Sequence, residues 1–316
     1  MTQNMNTYRD ILKSFDLSNI PDLDVAVLGA LELFQEVILP TIDTSAFKHP
    51  LVVGSGNAEA TGRILFQNND ALFASESTFE EKLKTVPGID SVVLLSASGG
   101  KHSPRIAKIA KKFGKKVILL TNTPHSPASR ELDSSTDTEY LFPKNREPYT
   151  YNTSTYMGII LGVTHEDPTE IMQFLLQNQS ILSRNDIASF DKFFLIVPPR
   201  FSGIIRMLQV KFIELFGRMI ARDVETSEYM AHAVTVVPSR ELFISFGDAN
   251  TTWGTEGNRW NVPLPKHANY ATMMAVGYYI IAQIQKQHPP YFKENISLYT
   301  KNASVIFGQE IKPIVE

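Results

Sequence analysis

The segment Ser91–Thr121, SVVLLSASGGKHSPRIAKIAKKFGKKVILLT, contains two apolar runs separated by a turn of serines and glycines and a basic stretch. Neither run alternates apolar with polar residues, which is typical of parallel strands covered on both faces. The basic stretch between them has the spacing of a helix. The segment therefore predicts a strand, a loop, a helix and a second strand, joined by a right-handed crossover.

The same alternation of strands and helices continues along the chain. In the first half, strands are predicted at LVVGSG, ALFAS, SVVLLS, KKVILLT and TEYLF. The pattern restarts near Asp191 with KFFLIVPPR, ARDVET and RELFISF. We therefore predict an α/β protein with two doubly wound, three-layer α/β/α subdomains and parallel sheets. The expected units are a helical segment over 1–45, which should pack across the first sheet, a first domain over 46–180, and a second domain with a C-terminal tail over 181–316.

Composition excludes several kinds of site. The chain has 316 residues, 43% of them hydrophobic, a net charge of -3 and no cysteine. Disulfides, thiolate metal ligands and a cysteine nucleophile are therefore excluded. The charge gives no support for nucleic acid or an anionic membrane as partner. No two histidines have ligand spacing on one helix, so we expect neither a metal nor another cofactor.

Features of the sequence also bear on location. The N-terminus has no basic region followed by an apolar one, so no signal peptide is expected. The most apolar helix candidate, Tyr270–Ala282, is shorter than the roughly 20 residues that span a bilayer. We therefore expect a cytoplasmic protein with no membrane partner.

Two loops rich in glycine and serine follow strands of the first half. One contains Ser55 and Gly56, and the other contains Ser96 and Ser98 and is followed by Lys101. Loops at the carboxyl ends of parallel strands bind ligands, and the free N–H groups of a helix start favour anions. The first loop, GSGNAEATG, does not fit the dinucleotide fingerprint, because its third glycine falls later than the fingerprint requires. The loops therefore favour a phosphate ester with several hydroxyls, although serine and glycine are also ordinary turn and capping residues.

The motif SASGG, followed after a helix by VILLTN, resembles the sugar isomerase (SIS) domain. Two such domains in about 300 residues are the layout of the isomerase part of glucosamine-6-phosphate synthase and of the phosphoglucose/phosphomannose isomerases, which implies flavodoxin-like SIS subdomains. The resemblance implies a sugar-phosphate site formed by the following residues: Ser55, Gly56, Ser96, Ser98, Lys101, Thr150 and Asn152. Of these, Lys101 replaces a threonine that the family usually has, and Thr150 and Asn152 align with a loop that touches the sugar.

The second half resembles the catalytic segment of the same synthase. Lys211 and Glu214 form its K-x-x-E motif, and Glu228 and His232 correspond to a following E-x-x-H motif with one extra residue between them. The spacing of three places Lys211 and Glu214 on one helix face, where an ordinary intrahelical ion pair is the alternative interpretation. The resemblance implies that Lys301, in an extended tail, lies over the sugar. It also implies a homodimer in which His232 enters the site of the neighbouring subunit.

These residues have the chemistry that aldose–ketose isomerisation requires. A histidine suits ring opening, a carboxylate in a partly apolar site suits proton transfer between C1 and C2, and a lysine suits the enediolate oxygens. We therefore predict an isomerase of a hexose or amino-hexose 6-phosphate, with Glu214, His232 and Lys211 as catalytic residues. A fructosamine-6-phosphate deglycase and a regulator that binds a sugar phosphate without catalysis are the alternatives.

Overall fold

The computed structural model describes residues 7–233 and 239–316. Within these residues the helices are α1 (Tyr8–Ser14), α2 (Leu23–Glu36), α3 (Asn57–Leu65), α4 (Phe79–Thr85), α5 (Ser103–Lys112), α6 (Thr153–Thr164), α7 (Pro168–Gln177), α8 (Ile205–Phe216), α9 (Ser227–Ala233), α10 (Tyr270–Gln287) and α11 (Tyr291–Phe307). The strands are β1 (Pro50–Val53), β2 (Leu72–Ala74), β3 (Ser91–Leu95), β4 (Lys116–Thr121), β5 (Thr138–Leu141), β6 (Glu147–Pro148), β7 (Lys192–Val197), β8 (Ala221–Thr226), β9 (Leu242–Phe246), β10 (Arg259–Val262) and β11 (Ile314–Val315).

Two parallel sheets organise the molecule. The first has the strand order β2-β1-β3-β4-β5, and the second has the order β10-β9-β7-β8. Neighbouring strands within each sheet run parallel. The predicted fold class is therefore confirmed. A third, small sheet pairs β11 with β6 in antiparallel orientation and ties the end of the chain to the first half.

The largest hydrophobic core lies between the two sheets. It contains Val52 and Val93 from the first sheet and Leu195 and Ile244 from the second, together with side chains of α2, α3, α6, α8 and α10. The opposite face of the first sheet is covered by α4 and α5 in a separate cluster. A smaller cluster packs Met230 of α9 on the outer face of the second sheet. The helices of the central layer therefore belong to both halves of the protein.

The N-terminal segment packs differently from the expectation. The main contacts of α2 are with the helices α1, α6, α7 and α10. Ten of its fourteen residues are buried, so α2 is apolar on most of its circumference and fits into a helical layer. The prediction that this segment packs across the first sheet was wrong, because α2 is surrounded by helices.

The C-terminal region also differs from the expectation. The predicted extended tail around Lys301 is the helix α11, which ends at Gly308. Phe292, Ile296 and Thr300 are buried at intervals of four, and Gly308 adopts a positive φ of 62°, which is the usual helix stop. The extended part of the chain begins only after this glycine. Among the described residues, no helix is long and apolar enough to cross a membrane.

Candidate functional site

The two glycine- and serine-rich loops lie side by side. β1 and β3 are neighbours in register, with Val53 opposite Leu94, so the loops that follow them leave the same edge of the sheet. Gly56 has a φ of 58° and caps α3, a backbone conformation that favours glycine. Ser55 is exposed and Ser96 is partly buried. The fold therefore brings together the serines that the sequence predicted to bind one ligand.

The Ser96–Gly100 loop is held in a tight turn. Gly99 donates its N–H to the Ser96 carbonyl at 3.2 Å, and Gly100 donates to the Ser98 hydroxyl at 3.3 Å. The hydroxyls of Thr121 and Thr123 both donate to the Ala97 carbonyl, at 2.9 and 3.3 Å. These threonines therefore position the loop that holds the serines.

Gly99 is the position where this loop should tolerate substitution least. Its φ is 57°, and an added Cβ would lie 2.1 Å from Ser126 Oγ. Gly114 has a similar φ of 67° with no atom within 4 Å of the added Cβ, so it is a matched control. We expect Gly114→Ala to lower the free energy of unfolding by about 1 kcal/mol from backbone strain. Gly99→Ala should cost about 1 kcal/mol more because of the clash.

Urea denaturation of the two variants measures this difference. Gly99→Ala should also weaken binding of a sugar phosphate, whereas Gly114→Ala should leave binding unchanged. Equal losses of stability and equal binding in the two variants would contradict the proposed role of the Ser96–Gly100 turn.

A cleft of about 890 Å³ opens beside these loops, and we call it the serine cleft. Its lining includes these predicted site residues: Ser55, Ser96, Ser98, Lys101 and Asn152. The residues after α11, Gln309–Glu316, form another wall. Tyr149 donates its N–H to the Pro313 carbonyl at 2.7 Å, next to the pairing of β11 with β6, and so holds this segment in place.

Further cations line the serine cleft. Lys144 is partly buried, and its burial lowers the pKa of its ammonium group. Arg146 forms an ion pair with Glu316 at 3.6 Å, and Lys312 lies on the C-terminal wall. The sequence analysis missed these three residues. The proline after Lys312 was the available signal for an extended segment, but nothing in the sequence indicated its position over the cleft.

Lys101 connects the serine loop to the opposite wall. It has a φ of 51°, and its ammonium lies 3.8 Å from the centre of the Phe307 ring and 3.5 Å from the Tyr149 hydroxyl. Local burial of this group lowers the pKa of Lys101. SIS domains usually have a threonine at this position. This chain has a lysine there, and its ammonium packs on Phe307 of α11.

Lys211 and Glu214 form an ion pair on α8 in which the lysine is buried and the carboxylate is partly exposed. Lys211 is 0% exposed, and its Nζ lies 2.8 Å from Glu214 Oε2. Lys211 also donates to the carbonyl oxygens of Thr150 and Tyr151, at 2.6 and 2.9 Å. Thr150 has a φ of 78°, which turns the backbone into the left-handed region at this point. A pair with so many fixed partners differs from an ordinary ion pair on a solvated helix face.

The Glu214 carboxyl faces the first loop through Asn57. Asn57 Nδ2 lies 3.5 Å from both oxygens of Glu214, and Asn57 is two positions after Ser55. Burial raises the pKa of Glu214, while Lys211 and Asn57 oppose the rise. A carboxylate with a raised pKa and a fixed orientation is suited to act as a general base.

Glu214 lines a second cavity of about 570 Å³, which we call the glutamate cavity. Thr150 and Tyr299 also line it, while Tyr149 and Asn152 line the serine cleft. The rings of Tyr149 and Tyr299 lie 5.9 Å apart. The chain segment 149–152 and this aromatic pair therefore lie between the two cavities. The predicted catalytic pair and the predicted phosphate loops are adjacent, but they face different cavities.

The structure places His232 and Lys301 elsewhere. His232 lies on α9, is exposed and lines neither cavity, so a catalytic role would need a site formed with a second subunit. Residues 234–238, which follow α9, lie outside the described residues. Lys301 is exposed on α11 and lines neither cavity. The prediction that it lies in an extended tail over the sugar was wrong, because the tail begins after Gly308.

Metal binding finds no support among the parts of the chain that the structure describes. In residues 7–233 and 239–316 there is no group of three or more histidine, aspartate or glutamate side chains that could hold a metal ion.

Comparison with known proteins identifies the fold. No protein-family model matches the sequence, and no curated protein matches it at a significant level. Among solved structures, glucosamine-6-phosphate deaminase from Thermotoga maritima superposes with a TM-score of 0.58 at 13% identity, over 84% of this chain and 92% of that chain. Tagatose-6-phosphate ketose/aldose isomerase from Escherichia coli gives a TM-score of 0.58 at 12% identity, over 90% of this chain and 91% of that chain.

A third structure extends the similarity over nearly the whole chain. The C-terminal domain of glucosamine-fructose-6-phosphate aminotransferase from Francisella tularensis gives a TM-score of 0.54 at 12% identity, over 93% of this chain and 98% of that chain. At such low identity these similarities bear on the fold alone. The chain shares the fold of these structures, in agreement with the fold that its SASGG motif implied.

Proposed function

We propose that this protein is a sugar-phosphate isomerase that interconverts the aldose and ketose forms of a hexose or amino-hexose 6-phosphate. The observation that carries the proposal is the Lys211–Glu214 pair, in which the lysine is buried and the carboxylate contacts Asn57, next to the first serine loop. A general base with a raised pKa next to a loop suited to phosphate is the combination that the reaction requires.

Each group has a defined role in this proposal. The N–H groups and hydroxyls of the two loops, with Ser55, Ser96 and Ser98, bind the phosphate, and Lys101 adds positive charge. Asn152 contacts the sugar from the serine cleft. Glu214 moves the proton between C1 and C2 of the open chain. Lys211, which is buried and lines neither cavity, holds Glu214 in one orientation, while N–H groups at the loops stabilise the negative charge that develops on the enediolate.

Ring opening and dimer formation complete the proposal. His232 would act as acid and base at the ring oxygen, in the site of a second subunit, since its own α9 presents it to solvent. Equilibrium sedimentation tests the homodimer. A monomer at the concentrations used for activity measurements would remove His232 from the mechanism and leave the roles of Glu214 and Lys211 intact.

The rate of isomerisation should depend on pH through Glu214. The base acts as a carboxylate, and burial raises its pKa above the ordinary value of 4.5. Activity should therefore be lost on acidification at a higher pH than an exposed glutamate would give, because the protonated form cannot accept a proton. A profile of kcat/KM against pH shows this acid limb, and a limb at or below pH 4.5 would argue against Glu214 as the base.

Proton exchange tests the function itself. The protein is incubated in D₂O with fructose, glucose, mannose or glucosamine 6-phosphate, and the C1 and C2 protons are followed by NMR. Interconversion of sugars, or exchange of one of these protons with solvent, is expected. Binding of the panel without exchange or interconversion would overturn the isomerase and favour a regulator that binds sugar phosphates.

A further inference from the structure

The glutamate cavity has a wall that an unmodified hexose phosphate cannot match. Its lining includes the apolar residues Leu215, Phe216, Phe292 and Ile296, together with the polar residues Arg218 and Asn295. A hexose carries a hydroxyl or carbonyl on nearly every carbon, and burial of such groups against apolar side chains is unfavourable without hydrogen bonds. The cavity volume of about 570 Å³ is in the range of sites that hold organic ligands. The apolar part of the cavity lining therefore suits an apolar group of a ligand.

The inner end of the glutamate cavity is polar. Glu214 and Thr150 line it, and Thr150 is buried with its Oγ1 free of any hydrogen-bond partner. Asn57 is likewise buried, and its Oδ1 lacks a partner although its Nδ2 faces Glu214. Of these two residues only Thr150 lines the cavity, and its unpaired buried hydroxyl indicates a position where a ligand supplies a hydrogen-bonding partner, such as a hydroxyl or an N–H group. The cavity therefore combines a polar end and an apolar body.

The two cavities lie on either side of one aromatic pair. Tyr149 faces the serine cleft and Tyr299 faces the glutamate cavity. Tyr299 is 49% exposed, so its ring can move without disturbing the core. A ligand whose phosphate lies at the serine loops and whose reacting carbon lies at Glu214 can extend a further group along α11 into the glutamate cavity.

We propose that the glutamate cavity is a subsite for an apolar substituent that the sugar phosphate carries on or next to the carbon beside Glu214. An amine-linked aryl or alkyl group fits this description, because its N–H group supplies a donor at the polar end. The proposal rests on the proposed function, since it places a sugar phosphate in the serine cleft. It adds that the preferred substrate is larger than a hexose 6-phosphate and has an apolar part.

Binding of a matched pair of ligands tests this subsite. Fructose 6-phosphate is compared with 1-benzylamino-1-deoxyfructose 6-phosphate by isothermal titration calorimetry. The benzyl compound should bind at least about tenfold more tightly, because burial of an aromatic ring is worth more than the 1.4 kcal/mol that a tenfold change represents. Equal affinity for the two ligands would overturn the subsite while leaving the isomerase standing. Failure of both ligands to bind would contradict the proposed function itself.

Variants at the mouth of the cavity locate the substituent. Asn295→Trp adds a large ring to an exposed position of α11 that lines the cavity, and Leu298→Trp adds the same ring on the same helix at a position that lines neither cavity. Asn295→Trp should weaken binding of the benzyl compound by about tenfold and leave fructose 6-phosphate unaffected. Leu298→Trp should change the affinity for neither ligand. Equal affinities of the two variants for the benzyl compound would overturn the proposed location.

A second substitution at the cavity mouth tests the same location independently, in case Asn295→Trp disturbs the fold. Met219 is 64% exposed and lines the cavity, so Met219→Glu adds a charge at the mouth without affecting the core. Met219→Glu should also weaken binding of the benzyl compound and leave binding of fructose 6-phosphate unchanged. Sedimentation of each variant identifies a competing occupant. A dimer that Asn295→Trp or Met219→Glu dissociates would show that a second copy of the chain fills the cavity, and would overturn the proposal.

Discussion

Replacement of Glu214 by glutamine should lower kcat for isomerisation by about 10² to 10⁴, the usual contribution of a general base. Glutamine has nearly the same shape and keeps an oxygen that accepts from Lys211 Nζ, which lies 2.8 Å from the carboxylate. It cannot take a proton from C1 or C2. The affinity for the sugar phosphate should stay within about threefold, because the serine loops that bind the phosphate are unchanged. Steady-state kinetics and calorimetry measure the two quantities.

A matched control separates this effect from a general loss of charge. Glu294→Gln on α11 removes a carboxylate that is exposed and lines neither cavity. Its kcat should equal that of the unmodified protein. Full activity in Glu214→Gln would exclude Glu214 as the base. A parallel loss of binding would show instead that the residue supports the fold of the site.

Replacement of Lys211 by methionine should lower the free energy of unfolding by about 3 kcal/mol or more, the usual result of removing one partner of a buried ion pair. Lys211 is 0% exposed, and its ammonium donates to two carbonyls and to Glu214. Methionine fills a similar volume but leaves these acceptors without a donor and Glu214 without a countercharge. Urea denaturation followed by the fluorescence of Trp260, which is buried, measures the loss.

Two comparisons make this result specific. Lys301→Met removes an exposed lysine of α11 and should change stability by no more than about 0.5 kcal/mol. The double variant Lys211→Met with Glu214→Gln should recover part of the loss, because the carboxylate that needed a countercharge is gone. A stability of Lys211→Met equal to that of Lys301→Met would contradict the importance of this ion pair.

The residues that were predictable from the sequence are those whose signals are local. The Ser96–Gly100 loop follows a buried strand directly, and the strand register brings it to Ser55. Lys211 and Glu214 are three positions apart, so any helix places them together. These short-range relations require only the periods of helix and strand, and the structure reproduces them.

Features that depend on packing between distant segments were not predictable. The glutamate cavity forms where α8 meets α11, and neither helix alone indicates it. The position of Lys312 depends on the pairing of two-residue strands that are separated by about half of the chain. Lys301 was misplaced because a family resemblance was preferred to the helical spacing of Phe292, Ile296 and Thr300. Local periodicity was the better guide in that region.

The central helical layer has a consequence for how the protein unfolds. Because side chains of both sheets and of α2, α3, α6, α8 and α10 belong to one hydrophobic core, neither half can lose its structure without exposing apolar surface of the other. Denaturation should therefore proceed as one cooperative transition. A fragment ending near residue 180 would expose the buried faces of α2 and α6 to water, and would aggregate when expressed alone. The two sheets thus belong to a single folding unit.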